Sequence, residues 1–289
     1  MSLARPLIAI VLVAGVPAQA RSSDWKELRG PYLGQKPPGA VPEIFAPGIV
    51  STDDVNHCSV AVSPDGREIY WAMGPLDHPK RIYVSTQADI GWSEPEVLSF
   101  TEDQDGDCPV LSPDGQKLYF NSNRPSSPGA GRRERYWVAE RAGDGWSEPR
   151  PLGPAVNEDH LHWQASVDRQ GRFYFGSERE GTKGRDDIFV VSLDDGEESR
   201  AVSLDGPINT ELLEGNPYVA PDGSYLIFDR EGLFISSRSG DGSWGTPRSL
   251  GIEGTCPHVS PDGKYLFFLK MGMGYNDVYW VDARVLSVK

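Results

Sequence analysis

Hydrophobic positions along this chain come in short runs separated by turn residues, with no long helical stripe. Five triplets recur: Ile69-Tyr70-Trp71, Leu118-Tyr119-Phe120, Phe173-Tyr174-Phe175, Leu226-Ile227-Phe228 and Leu266-Phe267-Phe268. A second set follows each: Ile82-Tyr83-Val84, Tyr136-Trp137-Val138, Ile188-Phe189-Val190, Leu233-Phe234-Ile235 and Val278-Tyr279-Trp280. Short β-branched and aromatic runs between turn signals predict strands buried on both faces. A tight turn precedes each first triplet: Ser63-Pro64-Asp65-Gly66, Ser112-Pro113-Asp114-Gly115, Ala220-Pro221-Asp222-Gly223 and Ser260-Pro261-Asp262-Gly263, with Asp168-Arg169-Gln170-Gly171 as a degenerate copy. Pro presets φ, Asp bonds its own backbone, and Gly takes positive φ without steric cost.

The motif glycines are spaced 49, 56, 52 and 40 residues apart. Further along three of the copies a Trp-containing turn (Trp92, Trp146, Trp244) leads into a short fourth strand at Val97-Leu98, Leu152 or Leu250. Four strands per repeat at this period predict a propeller blade. The fifth copy ends after its third strand, and Val41-Pro42-Glu43-Ile44-Phe45, ahead of the first copy, reads as the missing fourth. Pairing the two leaves no open sheet edge at the seam. The expected fold is all-β: a five-bladed propeller of four-stranded antiparallel blades, closed by an N-terminal strand that completes the C-terminal blade. Six blades would need one hidden in residues 21–40, which are too few.

The x-Ser-Pro-Asp-Gly-x-x-Leu-Tyr-Phe pattern, with Asp-Ile-Tyr-like third strands, resembles the TolB-type WD-like propeller repeat, over essentially all of the chain beyond its first twenty residues. That broad group includes periplasmic interaction modules, gating domains of peptidases, and lyases or hydrolases. The resemblance implies a propeller and leaves function to be argued from the site.

Composition sharpens this in two ways. Gly (32) and Pro (24) suit a turn-rich fold, and a formal net charge of −14 repels phosphate backbones and anionic membranes. No nucleic acid and no membrane span are expected, and the protein reads as a monomer. At the N-terminus Arg5, the apolar run Leu7 to Val16 and Ala18-Gln19-Ala20 have the form of a secretory signal cleaved after Ala20. The expected division is signal peptide 1–20, extension 21–40 and one propeller domain 41–289, in an exported protein, periplasmic or secreted.

Candidate chemistry lies on the first strand of each blade. Aligned on the motif Pro position, one column is wholly apolar: Val60, Pro109, Ala165, Pro217 and Pro257, then Val62, Leu111, Val167, Val219 and Val259. It reads as core. The alternate column carries Ser59, Cys108, Gln164, Asn216 and Cys256, with Ser166 and His258 two residues on, and His57, His162 and Glu214 two residues before. Period-two alternation places these on the other face. The connecting loops add Asp105, Asp107, Glu158 and Glu211. The ligand or metal candidates are therefore His57, Asp107, Cys108, His162, Glu214, Asn216, Cys256 and His258, converging on one funnel, with a divalent metal ion in the channel as the conceivable cofactor. The plainer reading is that these side chains satisfy loop backbone groups. Turn residues Asp65, Gly66, Asp114, Gly115, Gly171, Asp222, Gly223, Asp262 and Gly263 are structural.

Three cysteines leave one unpaired. Cys58 lies one residue out of phase in blade one, which sits between blades five and two, so it either pairs with Cys256 or Cys108 or all three are buried thiols. Arg124, Arg179 and Arg230, each following a second strand, are expected to pair with nearby carboxylates across a blade corner. The three turn tryptophans are expected to pack in outer hairpins, the alternative being a sugar-binding surface. Three functions remain: a binding module with a protein or small-molecule ligand at the channel mouth, a carbohydrate-active hydrolase or lyase using the acidic funnel, and a metal-stabilised scaffold.

Overall fold

The computed structural model describes residues 27–287 apart from 76–78, 90, 128, 159, 195–196, 205 and 273–275. The proposed signal segment lies outside the described residues. Five antiparallel sheets follow one another around a ring, each ordered from an innermost strand outward. The innermost strands are Ala61–Val62, Asp107–Leu111, His160–Val167, Gly215–Val219 and Thr255–Val259. The second strands are Glu68–Met73, Lys117–Ser122, Arg172–Glu178, Tyr225–Asp229 and Tyr265–Met271. The third are Arg81–Ala88, Arg135–Ala142, Asp187–Asp194, Leu233–Ser237 and Asn276–Asp282. The fourth position of the last blade is filled from the N-terminus, where Glu43–Ile44 pairs antiparallel with the third strand, Glu43 opposite Trp280 and Ile44 opposite Tyr279. Five blades and this closure are as the repeats predict.

Alternation along the second strands builds the core. Phe173 and Phe175 pack toward blade two with Tyr119 and Tyr136, whereas Tyr174 between them joins Leu226 and Phe228 of blade four. The same division holds in blade one, where Ile69 and Trp71 face blade five and Tyr70 and Ala72 face blade two. Each sheet is thus apolar on both faces, and five inter-blade cores form, one per junction. Each large ring buried there stabilises the ring by roughly 2–3 kcal/mol relative to exposure.

The five tight turns are equivalent. Gly66, Gly115, Gly171, Gly223 and Gly263 all have φ between 70° and 74°. In blade one the Ser63 hydroxyl donates to Asp65 Oδ1 (2.6 Å) and accepts from the Glu68 N–H (2.8 Å). In the degenerate copy Asp168 takes the serine's place and accepts from the N–H groups of Gln170 and Arg172.

The extension straps the seam between blades five and one. Gly30 O accepts from Trp92 Nε1 of blade one (2.9 Å), and the Tyr32 hydroxyl donates to Asp262 of blade five (3.0 Å). Phe45 is fully buried against Phe267 and Trp280.

Two local expectations meet different outcomes. The tryptophans do sit in the hairpins after the third strands, Trp92 buried and Trp146 beneath the Arg141 guanidinium at 4.0 Å. The blade-corner arginines bond mainly to something other than carboxylates. Arg124 lies over Phe120 and Trp137 and donates to Phe100 O. Arg179 lies over Phe175 and Phe189 and donates to the carbonyls of Ala155 and Val156. Arg230, stacked on Phe228 and Phe234, also pairs with Glu214. A planar guanidinium satisfies loop carbonyls while covering an aromatic face, which a carboxylate partner alone would leave exposed.

Candidate functional site

The channel is bounded by the edges of the five innermost strands, and its two ends differ in chemistry. At the end carrying the Pro-Asp-Gly turns is a cavity of about 140 Å³. Val62, Leu111, Val167, Val219 and Val259 line its walls, Gln164 and His258 its depth, and Pro64, Pro113, Arg169, Pro221 and Pro261 its rim. Carboxylates are absent from this lining, and Arg169 is its only charged residue. A cavity of this size and polarity takes one apolar group of about ring size; an apolar cavity of about 150 Å³ admits benzene.

His258 is the distinctive polar group in this cavity. Its ring stands edge-on to Tyr218 (centroids 5.4 Å apart, planes at 80°). Its Nε2 is buried and has no hydrogen-bond partner among the described residues. Burial pushes the imidazole pKa down from 6.5 to about 4, so the ring is neutral at pH 7. The Tyr218 hydroxyl donates to Val259 O at 3.4 Å.

Half-way along the channel the repeat-equivalent polar residues form a belt of ties between blades. Gln164 donates from its backbone N–H to Asn216 Oδ1 (2.9 Å) and from Nε2 across the channel to Pro257 O (2.6 Å). Asn216 Nδ2 donates to Thr255 Oγ1 (2.8 Å) and Asp229 Oδ2 (3.1 Å). Cys58 and Cys108 form a disulfide between blades one and two, and Cys256 of blade five is a buried free thiol. Cys108, Asn216 and Cys256 share a left-handed backbone, φ 48°, 47° and 51°. Each sits where the register to the second strand shifts, between Asp107 and Val110, Gly215 and Tyr218, or Thr255 and His258. These are repeated β-bulges that turn the side chains inward.

The loop end is ionic, and Glu214, Asp107 and Asp105 are engaged there. Glu214, with no exposed surface, pairs with Arg230 Nε at 2.6 Å and accepts from both the N–H (2.9 Å) and the hydroxyl (2.6 Å) of Thr210. Asp107 pairs with Lys80 (3.1 Å) and accepts from the Cys108 N–H; Asp105 accepts from the Lys80 N–H. His57 Nε2 lies 3.2 Å from Gly74 O. His162 belongs to the strand His160–Val167, and its side chain lies outside the described residues.

The seven candidates whose side chains are described are therefore distributed along the channel. Cys108, Asn216 and Cys256 share the belt, Asp107, Glu214 and His57 lie at the loop end, and His258 faces the turn-end cavity. Among the described residues, one group of potential metal ligands falls close together, Cys58, Asp107 and Cys108, and two of its members are joined in the disulfide. The apolar column read as core, together with Arg169 and Tyr218, lines the cavity. Its signal was visible in the sequence as the wholly apolar alignment column beside the turn motifs.

The chain matches no protein-family model and no curated protein sequence. Among solved structures it is similar to TolB from Acinetobacter baumannii, with 16% identity and a TM-score of 0.51. That match covers 79% of this chain and 52% of that one, so the chain spans about half the length of that TolB. It is also similar to a protein of unknown function from Dyadobacter fermentans (13% identity, TM-score 0.53, 84% of this chain and 82% of that one). A chain of a nidogen/laminin complex is comparable (14%, TM-score 0.51, 79% and 76%). No helix among the described residues is long and apolar enough to cross a membrane. The fold of this chain is a five-bladed β-propeller, similar in fold to these structures.

Proposed function

We propose that this protein is an exported binding module whose ligand inserts a compact apolar group into the turn-end cavity. The carrying observation is the coincidence, in one cavity of about 140 Å³, of apolar walls with a buried His258 Nε2 that has no partner among the described residues. A buried polar atom without a partner is costly, and a ligand that supplies one hydrogen bond there recovers that cost. Arg169 at the rim favours a ligand whose polar end is anionic. The size suits one aromatic ring or branched aliphatic group, carried by a small molecule or by a partner's side chain. The acidic loop end supports the carbohydrate-cleaving reading less well. A general acid and base must reach substrate, whereas Glu214 and Asp107 are committed to Arg230 and Lys80.

The test is a thermal-shift series with benzoate, phenylacetate, isovalerate and the corresponding amides, together with 4-hydroxybenzoate and 4-hydroxyphenylacetate, whose ring hydroxyl brings a hydrogen-bonding group to the depth where His258 lies. It uses the wild type and Val110→Trp, which places an indole at the cavity wall. Anions of this class raise the wild-type melting temperature and leave that of Val110→Trp unchanged. Cleavage of an oligosaccharide panel without any stabilisation by these compounds overturns the reading.

A further inference from the structure

Cys58 has two sulfur partners within reach. It is bonded to Cys108 of blade two, and the Cys256 sulfur of blade five lies 3.3 Å from it on the other side of the ring. Cys108 and Cys256 are repeat-equivalent: both have left-handed backbones, both precede a proline, and both occupy the bulge of an innermost strand. Blade one is flanked by these two blades, so the pseudo-symmetry of the ring presents Cys58 with two matching thiol positions. All three residues are buried, at 1%, 1% and 0% exposure.

We propose that Cys58 is the pivot of an internal thiol–disulfide exchange, in which its bond to Cys108 is traded for a bond to Cys256. The Cys256 thiolate attacks Cys58 Sγ, the Cys58–Cys256 bond forms and the Cys58–Cys108 bond breaks. Cys108 leaves as a thiolate and takes up the proton that Cys256 released. One disulfide and one thiol exist before and after, so no oxidant or reductant is consumed. The exchange moves the covalent tie from the junction of blades one and two to that of blades five and one. The latter is the seam closed without a covalent bond by Glu43–Ile44 on Asn276–Asp282. Because Val60, Pro109 and His258 lie one or two residues from these cysteines and line the cavity, the position of the tie also sets the cavity wall.

Burial holds the Cys256 thiol well above its ordinary range, and the Asp229 and Asp107 carboxylates facing it push the same way, against the Thr255 hydroxyl. Thiolate is therefore scarce at neutral pH, and the exchange rate rises about tenfold per pH unit. The test needs no cavity ligand. Wild-type protein is held at pH 7, 8 and 9, quenched in acid, blocked with maleimide in acidic denaturant and digested for disulfide mapping. Label moves from Cys256 to Cys108, with the Cys58–Cys256 peptide appearing about tenfold faster at each step. Label confined to Cys256 at every pH and time overturns the proposal. In Cys108→Ser, shown to be folded by circular dichroism, glutathione oxidation joins Cys58 to Cys256. Folded Cys108→Ser that keeps both thiols alkylatable contradicts it, and if that variant does not fold the wild-type series decides alone.

Discussion

The two ends of the channel are built from the same five innermost strands, yet they do opposite things with polar groups. At the loop end the innermost strands of blades two and four begin beside charges that hold the fold: Glu214 is held by Arg230 and Thr210, and Asp107 by Lys80. At the turn end the walls are valine, leucine and proline, and the buried Nε2 of His258 has no partner among the described residues. Polar residues tied to one another mark the end that holds the ring together. Scarcity, with an unsatisfied group, marks the end at which we propose binding.

The sharpest way to break this comparison is to remove a loop-end charge. Glu214→Ala strips the part-buried Arg230 of its buried carboxylate partner and is expected to cost about 3 kcal/mol in denaturant-melt stability. The affinity of the turn-end cavity for its ligands should stay as it was. Loss of binding in a folded Glu214→Ala protein would place the site at the wrong end.

His258 gives the next largest effect. Its imidazole pKa is about 4 in the folded chain and 6.5 in the unfolded one, so between these pH values the unfolded state binds more protons. This group therefore leaves stability undiminished above pH 6.5 and lowers it as pH falls toward 4, by about 3 kcal/mol. His258→Leu should flatten that part of the pH–stability profile relative to wild type and weaken ligand binding about tenfold. An unchanged profile would mean that the ring is hydrated.

The smallest effect belongs to the turns themselves. Ser63→Ala removes a donor to Asp65 and an acceptor for Glu68 N–H and should cost about 1 kcal/mol. The Ser63 hydroxyl also holds the Asp65 carboxyl below its ordinary value, so that contribution is present above pH 4 and is lost on acidification below it. Equal losses from Ser112→Ala and Ser260→Ala in urea melts would show that the repeats are energetically as well as geometrically equivalent.

Architecture was legible because repetition multiplies weak signals. One Ser-Pro-Asp-Gly turn is weak evidence, but three of them with an Ala-Pro-Asp-Gly and a degenerate copy, each ahead of an apolar triplet, define blades, and the fifth copy's missing strand identifies its own replacement at Glu43–Ile44. The channel lining was legible only in part, for a physical reason. A propeller shows its channel the edge of each sheet, so both alternating sets of side chains flank the axis, and alternation does not separate core from lining. The bulges at Cys108, Asn216 and Cys256 then shift the phase part-way along the strand. That is why Tyr218 and His258 share the cavity with Val219 and Val259. The arginines at the blade corners were legible as structural residues. Their aromatic and carbonyl partners were not, because Phe100, Ala155 and Ile208 reach them from preceding loops more than twenty residues away.

The most direct measurement is the melting temperature of three proteins, wild type, Val110→Trp and Glu214→Gln, across a titration with the compact aromatic and branched carboxylates. Stabilisation of the wild type and of Glu214→Gln to the same extent, with none in Val110→Trp, is the predicted result. Equal stabilisation of wild type and Val110→Trp, or its loss in Glu214→Gln alone, would contradict binding at the turn end.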